Sequence, residues 1–305
     1  MPILFSDVTV VPMDGAPQVL EHAYVAVEGT KIASVGTEPP EGTFDRVVDG
    51  AGKVLLPGFV NAHTHLPMTL MRGYGGGCDL HTWLNQYIFP AEARLDSRAV
   101  AAGAGLGLAE MIASGVTCVA DMYMHTGTIA EQILEAGISA NLSCGGVYFG
   151  APEDFSPETC GDCRNQAALT EEWHGAGAGQ ILVDASVHGE YTSNPPLWRW
   201  MAEYAAEHRL GMHVHVSETQ SEHQASLERW GKTPIQALDG CGVWDCGRSL
   251  AAHCVYTTEE DWALMAEKGI SCVHNPWSNL KLGSGVAPIP AMMRAGVNVA
   301  LGTDG

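Results

Sequence analysis

Eight apolar, β-rich runs, each separated from the next by a stretch of helical character, constrain the fold of this chain more than any other feature. They span residues 58–63, 116–121, 139–147, 181–188, 211–217, 249–254, 270–274 and 298–303. Helical segments are expected at 97–113, 128–136, 165–174, 195–208, 219–230, 257–268 and 288–295. Several are followed by a glycine suited to a C-terminal cap: Gly115, Gly137, Gly269 and Gly296. Continuous apolar strands that alternate with helices imply a parallel sheet covered on its outer face. Eight such units are the count for a closed (β/α)8 TIM-like barrel, an α/β fold. A doubly wound open sheet is the alternative. Against it, no G-x-G-x-x-G turn links a strand to a helix, and the glycine-rich Gly73–Gly77 lacks a phosphate-binding lysine.

Residues 1–57 have a different texture. Short strands at 3–11, 23–27, 31–35 and 46–48 are punctuated by Glu28-Gly29, the 36–40 turn and Asp49-Gly50. The expected division is a small β unit over 1–57 and a barrel over 58–305.

Composition narrows the class of partner. The 305 residues are 46% hydrophobic, enough for a large core. Lys and Arg number 15 against 35 Asp and Glu, a formal charge of −20, and no stretch concentrates basic residues. Nucleic acid and membranes are therefore not expected as partners. Neither a signal-like N-terminus nor a run of spanning length is present, so a cytoplasmic location is expected. A homo-oligomer is compatible with these features. The nine cysteines fit reduced, buried thiols better than a disulfide framework. Cys160 and Cys163 form the one CxxC, and a zinc shared with Cys241 and Cys246 is disfavoured by the spacing.

In a parallel barrel the chemistry gathers at the C-terminal ends of the strands. Here those ends carry His63 and His65, Asp121, His188, then His213, His215 and Glu218, then His253, His274 and Asp304. Residues two apart on a strand face the same way, so the His63/His65 pair is half a metal site. The assigned ligands are His63, His65, His215 and Asp304, a donor set suited to one divalent metal, Zn2+ first, with Fe2+ or Mn2+ as alternatives. His213 shares a face with His215 and is the alternative ligand; His215 is preferred because Glu218 follows it at i+3. Glu218 is placed as the proton carrier and His253 as the group that hydrogen-bonds the attacking oxygen. Asp304 is expected to ligate weakly and to accept a hydrogen bond from the hydroxide. The reaction class is metal-assisted addition of water to an electron-poor carbon bearing a leaving group. Asp121 reads as a structural carboxylate. Trp83 and Trp277 read equally well as packing or as pocket wall.

The run PGFVNAHTHLPMTLMRGYGGGCDLHTWLNQYIFPAE, with HVHVSET, LAAHCVYTTEED, HNPWSNLKLGSG and LGTDG in that order, resembles the amidohydrolase superfamily. The resemblance is to its branch of methylthioadenosine/S-adenosylhomocysteine deaminases and triazine hydrolases, and it covers nearly the whole chain. It implies a (β/α)8 barrel with one divalent metal beside a β-sandwich domain built from both chain ends. It places the ligands on His63, His65, His215 and Asp304, the proton shuttle on Glu218 and a supporting histidine on His253. It further implies that Glu92 of the PAE segment binds ribose hydroxyls, that His188 contacts the nucleoside and that Trp83 lines the pocket. The implied activity is hydrolytic release of ammonia from an adenosine-type nucleoside, with methylthioadenosine, 5′-deoxyadenosine, adenosine and S-adenosylhomocysteine as candidates. Hydrolysis of another amino- or chloro-substituted heterocycle, of guanine or triazine type, is the runner-up, and an inactive fragment or scaffold subunit is the reading from another class.

Two departures stand out. Many relatives carry arginine where AGISANL has Ser139, which favours a smaller adenosine derivative over S-adenosylhomocysteine. Relatives also continue for on the order of a hundred residues past the position of Gly305, through the last helix of the barrel. Residues 1–305 alone are accordingly expected to show little activity, with Asp304 at a fraying end.

Overall fold

The computed structural model describes residues 1–15 and 18–305. The chain divides into two compact units, residues 1–59 and 60–305.

The first unit is one five-stranded sheet. Its strands are β1 (Ile3–Val10), β2 (Leu20–Glu28), β3 (Lys31–Gly36), β4 (Arg46–Asp49) and β5 (Val54–Leu55), in the order β3-β2-β1-β4, with β5 also on β1. β1 and β2 pair antiparallel, as do β2 and β3, whereas β4 and β5 run parallel to β1. The β2–β3 hairpin closes over Gly29-Thr30, where Gly29 takes φ +59°. Such a turn needs a positive φ that a side chain would strain. Val8, Val10, Ala23 and Val25 form the unit's own small core.

The second unit is the barrel. Its strands are β6 (Phe59–Thr64), β7 (Val116–Met122), β8 (Ser139–Ser143), β9 (Ile181–Val183), β10 (Ala185–Gly189), β11 (Met212–Val216), β12 (Ser249–His253), β13 (Ile270–His274) and β14 (Val299–Leu301). They form two parallel runs, β6-β7-β8-β9 and β10-β11-β12-β13-β14. Two parallel bridges join the runs into a ring, Gly146 to Val187 and Thr64 to Asp304. β9 and β10 are one barrel strand interrupted at Asp184, so eight strands close the sheet. The interruption has a cause: buried Asp184 accepts from the Gly211 amide (2.9 Å), from Arg248 (2.8 Å) and from Asn141.

The sequence periodicity translates directly into burial. All five residues of β11, MHVHV, are buried, as expected of a strand with a packed interior on one side and helices on the other. Helices Ser97–Ala113 and Pro195–His208 have the expected bounds. The helix Glu259–Lys268 opens on a capping box made by Thr258 and Asp261 and stops at Gly269 in the left-handed region, φ +67°. Trp198 and Trp244, both about 1% exposed, sit in the core that covers β10–β13. Truncating either would cost on the order of 3–5 kcal/mol.

The structure adds helical pieces to those expected from the sequence. Residues Leu80–Trp83, Leu84–Ile88 and Phe89–Glu92 run on as α, π and α turns, started by Asp79 accepting from the Thr82 amide (3.1 Å). The short helices Pro234–Asp239 and Pro276–Lys281 start on a proline at the first helical position. The two proline-started helices have six residues each, too few for periodicity to reveal them, whereas Leu80, Trp83, Leu84, Tyr87, Ile88 and Ala91 repeat at helical spacing through the 80–92 piece. The β8 run also ends at Ser143, four residues before the expected 147, because the chain turns at Gly145 (φ +63°) toward β10. Among the described residues, no helix is long and apolar enough to cross a membrane.

Candidate active site

At the C-terminal mouth of the barrel four imidazoles and two carboxylates meet. His63 is the penultimate residue of β6 and His65 lies just beyond the strand, His215 is in β11 and His253 ends β12. Asp304 is held against β6: its amide and that of Thr303 both donate to the His63 carbonyl at 3.1 Å, and Ser278 Oγ donates to Asp304 Oδ2 at 2.5 Å. The expectation of a fraying Asp304 does not match this backbone pairing. Asp304 Oδ1 lies 3.2 Å from His63 Nε2 and 3.1 Å from His65 Nε2. His215 Nε2 lies 3.2 Å from His65 Nε2. One ligand atom each from His63, His215, His253 and Asp304 falls within a 4.8 Å cluster. His65 is outside that four-residue group and adjoins it through its contacts to Asp304 and His215.

The orientation of each ring is set from behind. His65 Nδ1 faces the Met122 carbonyl at 2.5 Å, and His215 Nδ1 faces the His188 carbonyl at 2.6 Å. A carbonyl only accepts, so both Nδ1 atoms carry the proton and both Nε2 lone pairs point inward. His63 Nδ1 meets His213 Nε2 at 2.8 Å, and His213 Nδ1 lies 3.4 Å from Ser143 Oγ. His63 Nε2 is buried and has no hydrogen-bond partner. Inward lone pairs, a carboxylate and an orphaned buried nitrogen fit a divalent cation.

Electrostatics agree. Burial pulls His63 down to about 4 and holds His215 well below its ordinary value, with neighbouring imidazoles adding to the effect on His215. Neutral imidazole is the form that binds metal. Burial also depresses His65, but the Asp304 carboxylate and the Met122 carbonyl outweigh it and lift the ring to about 9. A proton and a cation compete for that Nε2. Burial alone would raise Asp304, yet His63 and His65 hold it well below the carboxylate range.

Glu218 and His253 form the second half of the site. Both are buried, with Glu218 Oε2 3.8 Å from His253 Nε2 and Ser284 Oγ donating to Glu218 Oε1 at 3.3 Å. Burial raises the Glu218 carboxyl, and the facing imidazole opposes it. His253 Nδ1 is fixed by Asn279 Oδ1 at 2.8 Å, and its Nε2 also lies 3.9 Å from Asp304 Oδ2.

These groups open into a cavity of about 370 Å3. Its wall includes Trp83, Glu92 and His188. Trp83 is pinned by its Nε1 donating to the Tyr74 carbonyl at 3.0 Å, and His188 Nδ1 lies 3.1 Å from Thr192 Oγ1. Phe89, Tyr123, Phe149 and Tyr191 add to the aromatic lining, and none of the four was identified from the sequence. Tyr191 is adjacent to the HGE triplet in HGEYT, the one signal that could have found it.

The other sequence candidates fall elsewhere. His213 lies beneath His63. Asp121 accepts the Leu66 amide at 2.6 Å. His274 does not line the cavity, and Trp277 is 80% exposed. All nine cysteines are free, and among the described residues none belongs to a metal-binding group.

Comparison with known proteins agrees with this geometry. Residues 54–305 match the amidohydrolase family. The chain belongs to that family, and so is a hydrolase of carbon–nitrogen bonds built on a barrel able to hold a divalent metal. It is 38% identical to a 5-methylthioadenosine/S-adenosylhomocysteine deaminase of Syntrophomonas wolfei over 306 residues, covering 100% of this chain and 70% of that one. A 5′-deoxyadenosine deaminase of Methanothermobacter thermautotrophicus is 41% identical over 94% of this chain and 66% of its own length. The zinc-bound crystal structure of an adenosine deaminase from Xanthomonas campestris superimposes with a TM-score of 0.90 at 34% identity, over 99% of this chain and 69% of that one.

Proposed function

We propose that this protein is a zinc-dependent deaminase of adenosine-type nucleosides. One observation carries the reading: inward-facing Nε2 atoms and Asp304 meet directly beside the buried Glu218–His253 pair, at the floor of a cavity large enough for a nucleoside. His63, His65, His215 and Asp304 would hold the metal, which when bound supplies the acidity that makes water a nucleophile near neutral pH.

Glu218 takes a proton from the attacking water and delivers it to the purine ring nitrogen beside the amino-bearing carbon. As the water oxygen bonds to that carbon, His253 hydrogen-bonds the oxygen and stabilises the charge that develops on it. A second proton passes to the amine, its bond to carbon breaks, and ammonia leaves. Water is consumed and the amino group is replaced by a carbonyl oxygen. Glu92, on the cavity wall, would accept hydrogen bonds from ribose hydroxyls, and His188 of β10 would contact the nucleoside. Trp83 supports the ring face.

The cavity lining contains no lysine or arginine, while Glu92 and Asp162 belong to it. An uncharged 5′ group suits this wall, and a substrate carboxylate would be left without a basic partner. Relatives carrying names for both methylthioadenosine and S-adenosylhomocysteine make the distinction testable. Ammonia release by the purified native protein loaded with zinc is expected from methylthioadenosine, 5′-deoxyadenosine and adenosine. Turnover of S-adenosylhomocysteine should be slower. Release from guanine or an aminotriazine, with none from nucleosides, would overturn the reading.

A further inference from the structure

Glu222 is a buried carboxylate, 6% exposed, that the chemistry above leaves without a task. Its two oxygens accept from two consecutive backbone amides, Oε1 from Ser217 at 2.8 Å and Oε2 from Glu218 at 2.7 Å. Those amides belong to the turn that carries the proton carrier off the end of β11. Ser217 sits there in the left-handed region, φ +51°, a conformation that a non-glycine residue adopts only when its surroundings hold it. The Tyr256 amide also holds the turn, donating to the Ser217 carbonyl at 2.9 Å.

Glu222 is itself held firmly. It lies in the first turn of the helix Gln220–Trp230, with its amide donating to the N-cap Thr219 Oγ1 at 3.1 Å. The far end of that helix is clamped to the loop after His188. Arg229 makes a two-pronged pair with buried Glu190, at 3.2 and 2.5 Å, and Trp230 Nε1 reaches the same carboxylate at 2.5 Å. The helix therefore spans two pieces of the cavity wall, one bearing Glu218 and the other bearing His188 and Tyr191.

We propose that Glu222 is the positioning residue of Glu218, and that the helix Gln220–Trp230 is a brace whose first turn holds Glu218 while its last turn holds the wall bearing His188 and Tyr191. The proposal rests on the deaminase reading for its kinetic consequences. Both Glu222 oxygens accept from N–H donors, which oppose the burial and the neighbouring Glu218 that raise its carboxyl to about 8; a side chain of this shape with two acceptor oxygens satisfies both amides. Glutamine would turn its NH2 toward one of the amides in either orientation, releasing half the turn. Glu218 would then lose its alignment with the reacting nitrogen, a step sensitive to displacements of an ångström.

The test compares Glu222→Gln and Glu222→Asp with Arg229→Met, which loosens the other end of the same helix. For Glu222→Gln, kcat should fall about 30-fold with KM changed by no more than about 3-fold, bound zinc should stay at the wild-type level, and the Ser217 and Glu218 amides should exchange faster with solvent. Glu222→Asp, which keeps a carboxylate, should recover part of kcat. Arg229→Met should show the opposite split, with KM raised more than kcat is lowered. Three outcomes would overturn the proposal: kcat of Glu222→Gln within about 2-fold of wild type, loss of kcat only together with zinc and the folded state, or the same kinetic pattern at both ends of the helix. Wild-type protein that releases no ammonia from nucleosides would instead sink the deaminase reading, and amide exchange would still report on the brace.

Discussion

The chain carries two His-x-His pairs on barrel strands, one at the end of β6 and one within β11, and the fold uses them at different depths. In the first pair, His63 is the penultimate residue of its strand and His65 lies past the end, so both Nε2 atoms reach Asp304. In the second, both histidines are inside the strand. His215 reaches the mouth, while His213 lies a layer deeper and meets the back of His63. Residues two apart share a face but differ by about 6.6 Å along the strand. The face decides which side chains enter the barrel, and the depth decides which touch the chemistry. The mouth layer holds His65, His215, Glu218, His253 and Asp304. The layer beneath holds His213, Ser143 and Asp121, which fix rings and backbone from behind.

The comparison is most easily broken at the two β11 histidines. His215→Ala should lower activity by at least about 10³-fold and deplete bound zinc, because a ligand is lost. His213→Ala should weaken zinc affinity about 10- to 100-fold, as measured by chelator competition, with activity recovered in excess metal. Equal, unrecoverable losses would erase the distinction between the layers. Within the mouth, Glu218→Gln should lower kcat by about 10² to 10⁴-fold while bound metal persists, which separates proton transfer from metal binding. Burial raises the Glu218 carboxyl, and the group must be ionised to take a proton. Activity should therefore rise with pH through an acid limb that lies above 4.5 and is absent in the glutamine variant.

Glu92→Ala sharpens the substrate side of the mouth. Loss of a hydrogen bond to ribose hydroxyls should raise KM for nucleosides about 10- to 100-fold, with a smaller effect on kcat. An unchanged KM would favour a bare heterocycle over a nucleoside.

The smallest expected effect lies in the lower layer. Burial raises the Asp121 carboxyl to about 7 from its ordinary 3.8, against the opposing pull of the Leu66 amide. Between those two values the folded chain keeps a proton that the unfolded chain releases. The contribution of this group to stability is therefore fullest below pH 3.8 and is lost as pH rises toward 7. Asp121→Asn should flatten that dependence, by up to about 3 kcal/mol between pH 4 and 7 in urea unfolding midpoints, without abolishing turnover.

Much of this could be read from residues in order. The eight strands follow from apolar runs, and the barrel follows from their alternation with helices. The roles proposed for His63, His65, His215, Glu218, His253 and Asp304 rest on residue type at strand ends. Other features were hidden for identifiable reasons. The 80–92 segment, which brings Trp83 and Glu92 to the cavity, has apolar residues at helical spacing, but Pro90 and a π turn obscure it. The break at Asp184 depends on donors from Asn141, Gly211 and Arg248, distant in sequence. Glu222 looked like one more acidic residue in the first turn of a helix, and only its two amide partners set it apart.

The sequence by itself determined the fold class, the family and the chemical character of the site, because hydrophobic period and residue type are local properties. Tertiary structure alone decided which nitrogen of each ring faces inward, that His213 meets the back of His63, and that Asp304 is laced to β6. Those depend on contacts across the closed ring of strands. A carbonyl at Met122 sets the tautomer of His65, 57 positions away, and a backbone oxygen at His63 anchors a carboxylate 241 positions on.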